Sequence, residues 1–299
     1  MEALRGYCEV MDANAELGEF LRSRRSRISP ESVGLPTGAV RRVPGLRREE
    51  LARLAGVSMD YYTRLEQGRH IVPSEGVLDA IATALSLDDV ERTYLSELAR
   101  ARTKPKRRTR TGQQVVPGLL RFMDTFPRVP AYVLGRRTDV LAANRMACLL
   151  LADFTTMPAR QRNAARWLLL DEGARSLYRN WEKVAADIVA CLRLDAGRYP
   201  DDPRTSELVG ELAMKSPEFR RWWANRRVVT HCQDVKRLHH PIAGNLELKV
   251  EALVSAEDSE QQLFVYLPEP GSRSEEALRL LAAWNGDSSA AAAPQPSRR

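Results

Sequence analysis

The sequence predicts two unlike folded parts, an all-α first third and an α+β remainder. Three observations carry that expectation. Apolar residues recur at helical spacing from residue 13 to about 102, with breaks at glycines. A basic stretch poor in apolar residues then interrupts the chain. Beyond it, segments of apolar/polar alternation are interleaved with helical ones. A length of 299 residues suits two domains rather than one. The expected division is a disordered extension over 1–12, a helical domain over 13–102, a basic linker over 103–114, the α+β domain over 115–286, and a disordered tail over 287–299 rich in Ala, Pro, Ser and Arg.

The first helix is expected from Ala13 to about Ile28, with Leu17, Phe20, Leu21 and Arg24 on one face. A loop with Pro30, Gly34, Pro36, Gly38, Pro44 and Gly45 follows. Helical pattern resumes near Arg47, broken at Gly56 and again from Gly68 to Pro73. The run Leu46 to Arg69 splits into two short helices around a tight turn. Leu51, Leu54 and Ala55 are expected on the buried side of the first. Gly56 takes the turn, Val57 plugs the angle, Ser58 caps the second helix, and Tyr62 and Leu65 face the core. Gly68 ends that helix. Two helices joined in this way form a helix-turn-helix.

That geometry has a chemical use. The second helix of such a pair enters the major groove of DNA with its N-terminal residues at base edges. Its outward positions are Met59, Asp60, Tyr61, Thr63 and Arg64. An arginine there forks onto guanine, an aspartate accepts from cytosine, and a methionine touches a thymine methyl. Arg47, Arg48, Ser58 and Arg69, near the helix ends, and Arg41 and Arg42 in the loop are candidate phosphate contacts, which position rather than specify.

The α+β part opens with an expected hairpin, Ala131–Leu134 and Val140–Ala143 flanking Arg136–Asp139. A long helix near Arg175 to Leu194 carries Leu177, Trp181, Val184, Ile188 and Leu192 on one face. Ser216 and Pro217 start a short helix bearing Trp222 and Trp223. Strands are expected over about Arg227–Leu238, Gly244–Val254 and Gln262–Leu267, and a last helix over about Ser274–Trp284. Leu246, Leu248 and Val250 alternate with Glu247 and Lys249, so that sheet has one wet face and needs cover on the other, which the helix of Trp181 and Ile188 can give.

Composition narrows the function classes. With 46 Lys+Arg against 39 Asp+Glu, the formal charge is +7. Arg100, Arg102, Lys104, Lys106, Arg107, Arg108 and Arg110 form a basic run with no acid among them. It reads equally as a solvated linker or as salt-sensitive phosphate attraction. Cys8, Cys148, Cys191 and Cys232 are scattered and read as separate reduced thiols. No secretory signal pattern opens the chain, and no apolar run approaches the roughly 20 residues a bilayer needs. A cytoplasmic, nucleoid-associated protein without a membrane partner is expected. His231, Cys232, His239 and His240 match no standard zinc spacing, and Cys232 would oppose His231 on a strand. Phosphate-loop, dinucleotide and G-x-S-x-G signatures are absent. No enzyme activity, metal or cofactor is expected.

Taken together, Leu51-Ala52, Ala55-Gly56-Val57-Ser58, the Tyr61-Tyr62 pair, Leu65-Glu66-Gln67-Gly68 and the surrounding arginines resemble the Xre/phage-repressor family, whose N-terminal fold is lambda-repressor-like. Arg48 stands where that family carries a glutamine. The stretches Ser29–Pro36 and Pro44–Glu50 resemble a subfamily whose second half is an MmyB-like, PAS-like ligand-binding domain. Members usually begin close to the first helix, which makes Met11 a candidate start. The resemblance implies a sheet flanked by helices around a pocket for a small apolar, fatty-acid-like ligand. Trp222, Trp223, Arg226, His231, His239 and Tyr266 are the candidate lining residues. The expected protein is thus a sequence-specific transcription regulator that binds double-stranded DNA as a homodimer and responds to such a ligand. The alternative is a DNA-binding module fused to a protein-interaction or dimerisation domain without a small ligand.

Overall fold

The computed structural model describes residues 13–35, 43–69, 71–101, 113–229 and 235–290. Arg41, Arg42, His231, the 1–12 extension and most of the basic linker lie outside the described residues. The helices of the first third are α1 (Ala13–Arg25), α2 (Arg48–Leu54), α3 (Met59–Glu66), α4 (Glu75–Ala84) and α5 (Asp89–Ala101), with a 3-10 turn at Pro30–Val33. Then come α6 (Pro117–Asp124), β1 (Ala131–Leu134), β2 (Val140–Ala143), α7 (Arg145–Leu150), α8 (Ala164–Leu170) and α9 (Glu172–Leu177). The chain continues through α10 (Trp181–Arg198), α11 (Pro203–Lys215), α12 (Pro217–Ala224), β3 (Val235–His240), β4 (Gly244–Val254), β5 (Gln262–Pro268) and α13 (Arg273–Ala290).

These elements form two compact units. One joins Met1–Thr109 to Val189–Thr230; the other joins Arg110–Ile188 to His231–Arg299. The helical unit is therefore larger than the 13–102 read from the sequence, because residues 189–230 pack with it. The reason is chemical as well as apolar. Glu16 of α1 is buried and accepts from Arg193 and Arg226, each at 2.6 Å, and from the Tyr94 hydroxyl at 3.1 Å. Burial opposes ionisation of Glu16, but the two guanidinium charges outweigh it and hold its carboxyl below the ordinary range. Leu194 and Val228 complete the same apolar core as Leu17, Phe20, Leu51, Tyr62, Leu65, Ile81 and Tyr94. Phe20 meets Tyr94 edge-on at 5.1 Å.

Local chemistry sets the helix-turn-helix. The Ser58 hydroxyl accepts from Tyr61 N at 3.1 Å and starts α3. Gly56 takes φ 65° between α2 and α3, a left-handed conformation that favours glycine. Gly18 lets α1 cross the end of α3 closely: a Cβ there would lie 2.3 Å from the Glu66 carbonyl oxygen. The sequence expectation for Leu54 does not hold. α2 has only seven residues, and the core takes Leu51, Ala52 and Ala55 while Leu54 remains 40% exposed.

The second unit carries a five-stranded antiparallel sheet in the order β2-β1-β5-β4-β3. This is the sheet-and-helix, α+β architecture expected after the all-α part, and the hairpin of β1 and β2 falls where the sequence placed it. Alternation sorts the side chains. On β5, Leu263 and Val265 join Met123 of α6, Ala131 and Val133 in one cluster. Tyr132 and Phe264, a cross-strand pair, stack at 5.4 Å. On β4, Leu246, Leu248 and Val250 are buried and Glu247 and Lys249 exposed, giving the wet face expected.

Other boundaries differ from the sequence reading. The long helix expected from Arg175 to Leu194 is broken after Leu177. There the chain runs extended beside β3: Tyr178 bridges Leu238, and Arg179 N donates to Arg237 O at 2.9 Å. Helix restarts at Trp181. Arg227–Val229 is not strand, because Val228 is drawn into the helical unit's core; β3 starts at Val235. The last helix runs on to Ala290.

Candidate functional site

Two regions have the form of functional sites, one in each unit. In the helical unit it is the outer face of α3. Tyr62, Leu65 and Glu66 point inward, while Met59, Asp60 and Arg64 are exposed and Tyr61 and Thr63 are half-buried. The Arg64 side chain is 48% exposed and reaches within 3.8 Å of Asp60 one turn earlier. An exposed i,i+4 pair of that kind is weak, so a stronger acceptor readily displaces it. The helix thus offers an arginine, a carboxylate and a thioether on one free side.

Glu66 fixes the inner side. Its carboxylate is fully buried and accepts from Arg25 Nε at 2.8 Å and Nη2 at 2.9 Å, a bidentate clamp. Arg48 donates to it at 3.0 Å through Nε, and Arg22 lies 3.6 Å away. Burial works against ionisation of Glu66. Hydrogen bonds and charge from Arg25, then from Arg48, outweigh burial and keep the carboxyl below its usual range. The adjacent Tyr62 phenol is pushed up, first by burial and then by the Glu66 charge. Three arginines from α1 and α2 thereby tie the last turn of α3 in place.

The expected phosphate contacts fall in different settings. Arg48 is committed to Glu66, with its side chain 37% exposed. Arg47 begins α2, its backbone N donating to Glu50 at 2.6 Å, and its side chain lies 3.6 Å from Glu49 at the surface. Ser58 is exposed but its hydroxyl serves as a cap. Arg69 is exposed just beyond α3.

In the second unit, Tyr132, Phe154, Trp167, Tyr178, Val184, Ile188, Val250, Phe264 and Tyr266 enclose a cavity with Leu151, Ala164, Leu168 and Lys236. Its volume is about 30 Å³, against the roughly 10–15 Å³ that one water needs. The Tyr178 and Tyr266 hydroxyls are hydrogen-bonded at 3.1 Å on its wall. A wider, more open cleft of about 670 Å³ lies next to it, bounded by α7, Asp171, Leu177, His239, His240 and Ile242. Leu151 and Trp167 border both spaces.

Of the lining residues expected from the sequence, Tyr266 is at the cavity and His239 at the cleft. His239 Nδ1 faces Asn245 Oδ1 at 2.9 Å. Trp222, Trp223 and Arg226 border neither space; they belong to the helical unit. Arg193 stacks over the Trp223 ring at 4.0 Å and donates to its carbonyl, Phe219 stacks on the same ring, and Arg226 pairs with Glu16 and Glu19. Sequence reading missed Trp167, Tyr178 and Lys236. The signal for Lys236 is a cation between strand residues, and it means something only once the strand's inner face is known.

Among the described residues no cluster of His, Cys, Asp and Glu has the form of a metal site. Nor is any helix there long and apolar enough to cross a membrane. Comparison with protein families gives two matches. Residues 16–95 match a helix-turn-helix domain, and residues 115–281 match the MmyB-like transcription regulator ligand binding domain. A search of curated proteins found no match.

Proposed function

The chain belongs to the MmyB-like transcription regulator family, and from that premise we propose a sequence-specific, ligand-responsive regulator whose α3 reads the major groove. DNA binding follows from the helix-turn-helix domain. The finer reading rests on one observation: α3 buries Tyr62, Leu65 and Glu66 while turning Met59, Asp60 and Arg64 to solvent. Arg64 takes a guanine edge, Asp60 and Met59 discriminate neighbouring bases, and Tyr61 and Thr63 flank them. Arg47 and Arg69 hold phosphates; Arg48 holds α3 to α2 and reaches phosphate only with its exposed fraction. The protein acts as a homodimer, because one such module buries too little surface for specific affinity. The cavity of the second unit takes a small apolar, fatty-acid-like molecule.

Selection of the full-length protein against random duplexes tests this. One operator should emerge, and Arg64→Ala should lose about 1–3 kcal/mol on it and relax specificity at one position. Equal losses on operator and random DNA would make Arg64 a phosphate contact. Absence of any selected sequence would overturn base reading.

The small volume of the cavity favours a second reading, a protein-interaction domain without a small ligand. Extraction of the purified protein followed by mass spectrometry separates the two. A co-purifying apolar molecule supports the first.

A further inference from the structure

We propose that Lys236 dictates which ligand the cavity accepts: its ammonium receives the carboxylate of a small amphipathic monoanion, and the aromatic walls receive the apolar body. The proposal rests on reading the second unit as ligand-binding. β3 alternates exposed and buried side chains, and Lys236 falls on the buried side with Leu238 and His240. It is 3% exposed and lines the cavity. No aspartate or glutamate lines that space. Among the described residues Lys236 has no hydrogen-bond or ion-pair partner, whereas its neighbour Arg237 pairs with Glu247 at 2.8 Å on the wet face.

An amine held out of water with no counter-charge is costly, and buried lysines ordinarily have a partner. Here the cross-strand neighbour is Leu248, and the other walls are Val184, Ile188, Val250 and aromatic rings. The missing element is one negative charge. A single compact ammonium suits one carboxylate; no arginine lines the cavity to provide the fork that phosphate recognition favours. Tyr178 and Tyr266, whose hydroxyls are hydrogen-bonded to each other, add polar residues to the lining of the same cavity. The remaining surface is apolar, so the acid must carry a hydrocarbon or aromatic body.

Calorimetric titration of the full-length protein with decanoate and with 1-decanol tests the proposal, since the two probes differ in the head group. Wild type should bind the acid at least about tenfold tighter than the alcohol. Lys236→Met should erase that preference while alcohol binding persists, and Lys236→Arg should retain it. Unfolding midpoints of both variants check that they fold. Equal affinity of wild type for acid and alcohol, or an acid preference that survives Lys236→Met, overturns the role of Lys236 and leaves the ligand-binding reading intact. Failure of both probes to bind wild type overturns the ligand-binding reading and this proposal with it.

Discussion

The core beneath α3 and the cavity beneath β3 treat a buried charge in opposite ways. Under α3, Glu66 is enclosed by Arg25 and Arg48, with Arg22 nearby. In the cavity, Lys236 lines an apolar space that contains no acid. A buried charge whose partners are supplied by the fold is a structural clamp. One whose partner is absent from the fold is a place prepared for something else. On the proposed reading the contrast also separates the roles of the units: a DNA-reading helix needs a rigid base, whereas a sensor needs an interaction that only its ligand completes.

Three substitutions break or sharpen this contrast. The largest effect is expected at Glu66. Glu66→Gln strands two clamped guanidiniums and should lower stability by about 3–5 kcal/mol in denaturant unfolding. The folded carboxyl titrates below its ordinary 4.5. Its contribution is therefore complete above that value and is lost as pH falls through the lower folded one. The variant should accordingly show a flatter loss of stability on acidification. A loss under 1 kcal/mol with an unchanged acid profile would show that the clamp does not hold the fold. An opposite sign is expected at Lys236. Without ligand, Lys236→Met should stabilise by about 1–4 kcal/mol in the same assay, and clear destabilisation would mean that the amine already has a partner. The smallest effect is expected at Leu54. It lies at the surface of α2, so Leu54→Asp should stay within about 0.5 kcal/mol of wild type. A multi-kcal loss in thermal unfolding would place that side chain back in the core.

Much of the helix-turn-helix was legible because local chemistry decides it. Ser58 acts through its hydroxyl on the backbone N–H of Tyr61, Gly56 and Gly68 through their own left-handed backbone, and their roles follow from spacing alone. The face of α2 was not legible, since two turns give too few repeats to separate Leu51 from Leu54. The same limit hid Lys236. One face of β3 carries Val235, Arg237 and His239, and the other Lys236, Leu238 and His240. Each holds one aliphatic, one cation and one histidine, so period-two alternation cannot choose between them. The choice is made by β4, where Leu248 stands opposite Lys236. Trp222 and Trp223 show a further limit. Their helix cap at Ser216 was readable, but the partner of Trp223 is Arg193, distant in sequence and itself paired with Glu16. Long-range pairing of that kind leaves no periodic trace.

The chamber beside Lys236 holds about 30 Å³, space for roughly two waters. No hydrocarbon acid enters so tight a space without pushing side chains outward, and Leu151 and Trp167 border both it and the open cleft. Occupancy is then inseparable from a change of shape. On the proposed reading a guest is not held silently, and the stiffness of the wall at Leu151 and Trp167 sets how much affinity its displacement costs.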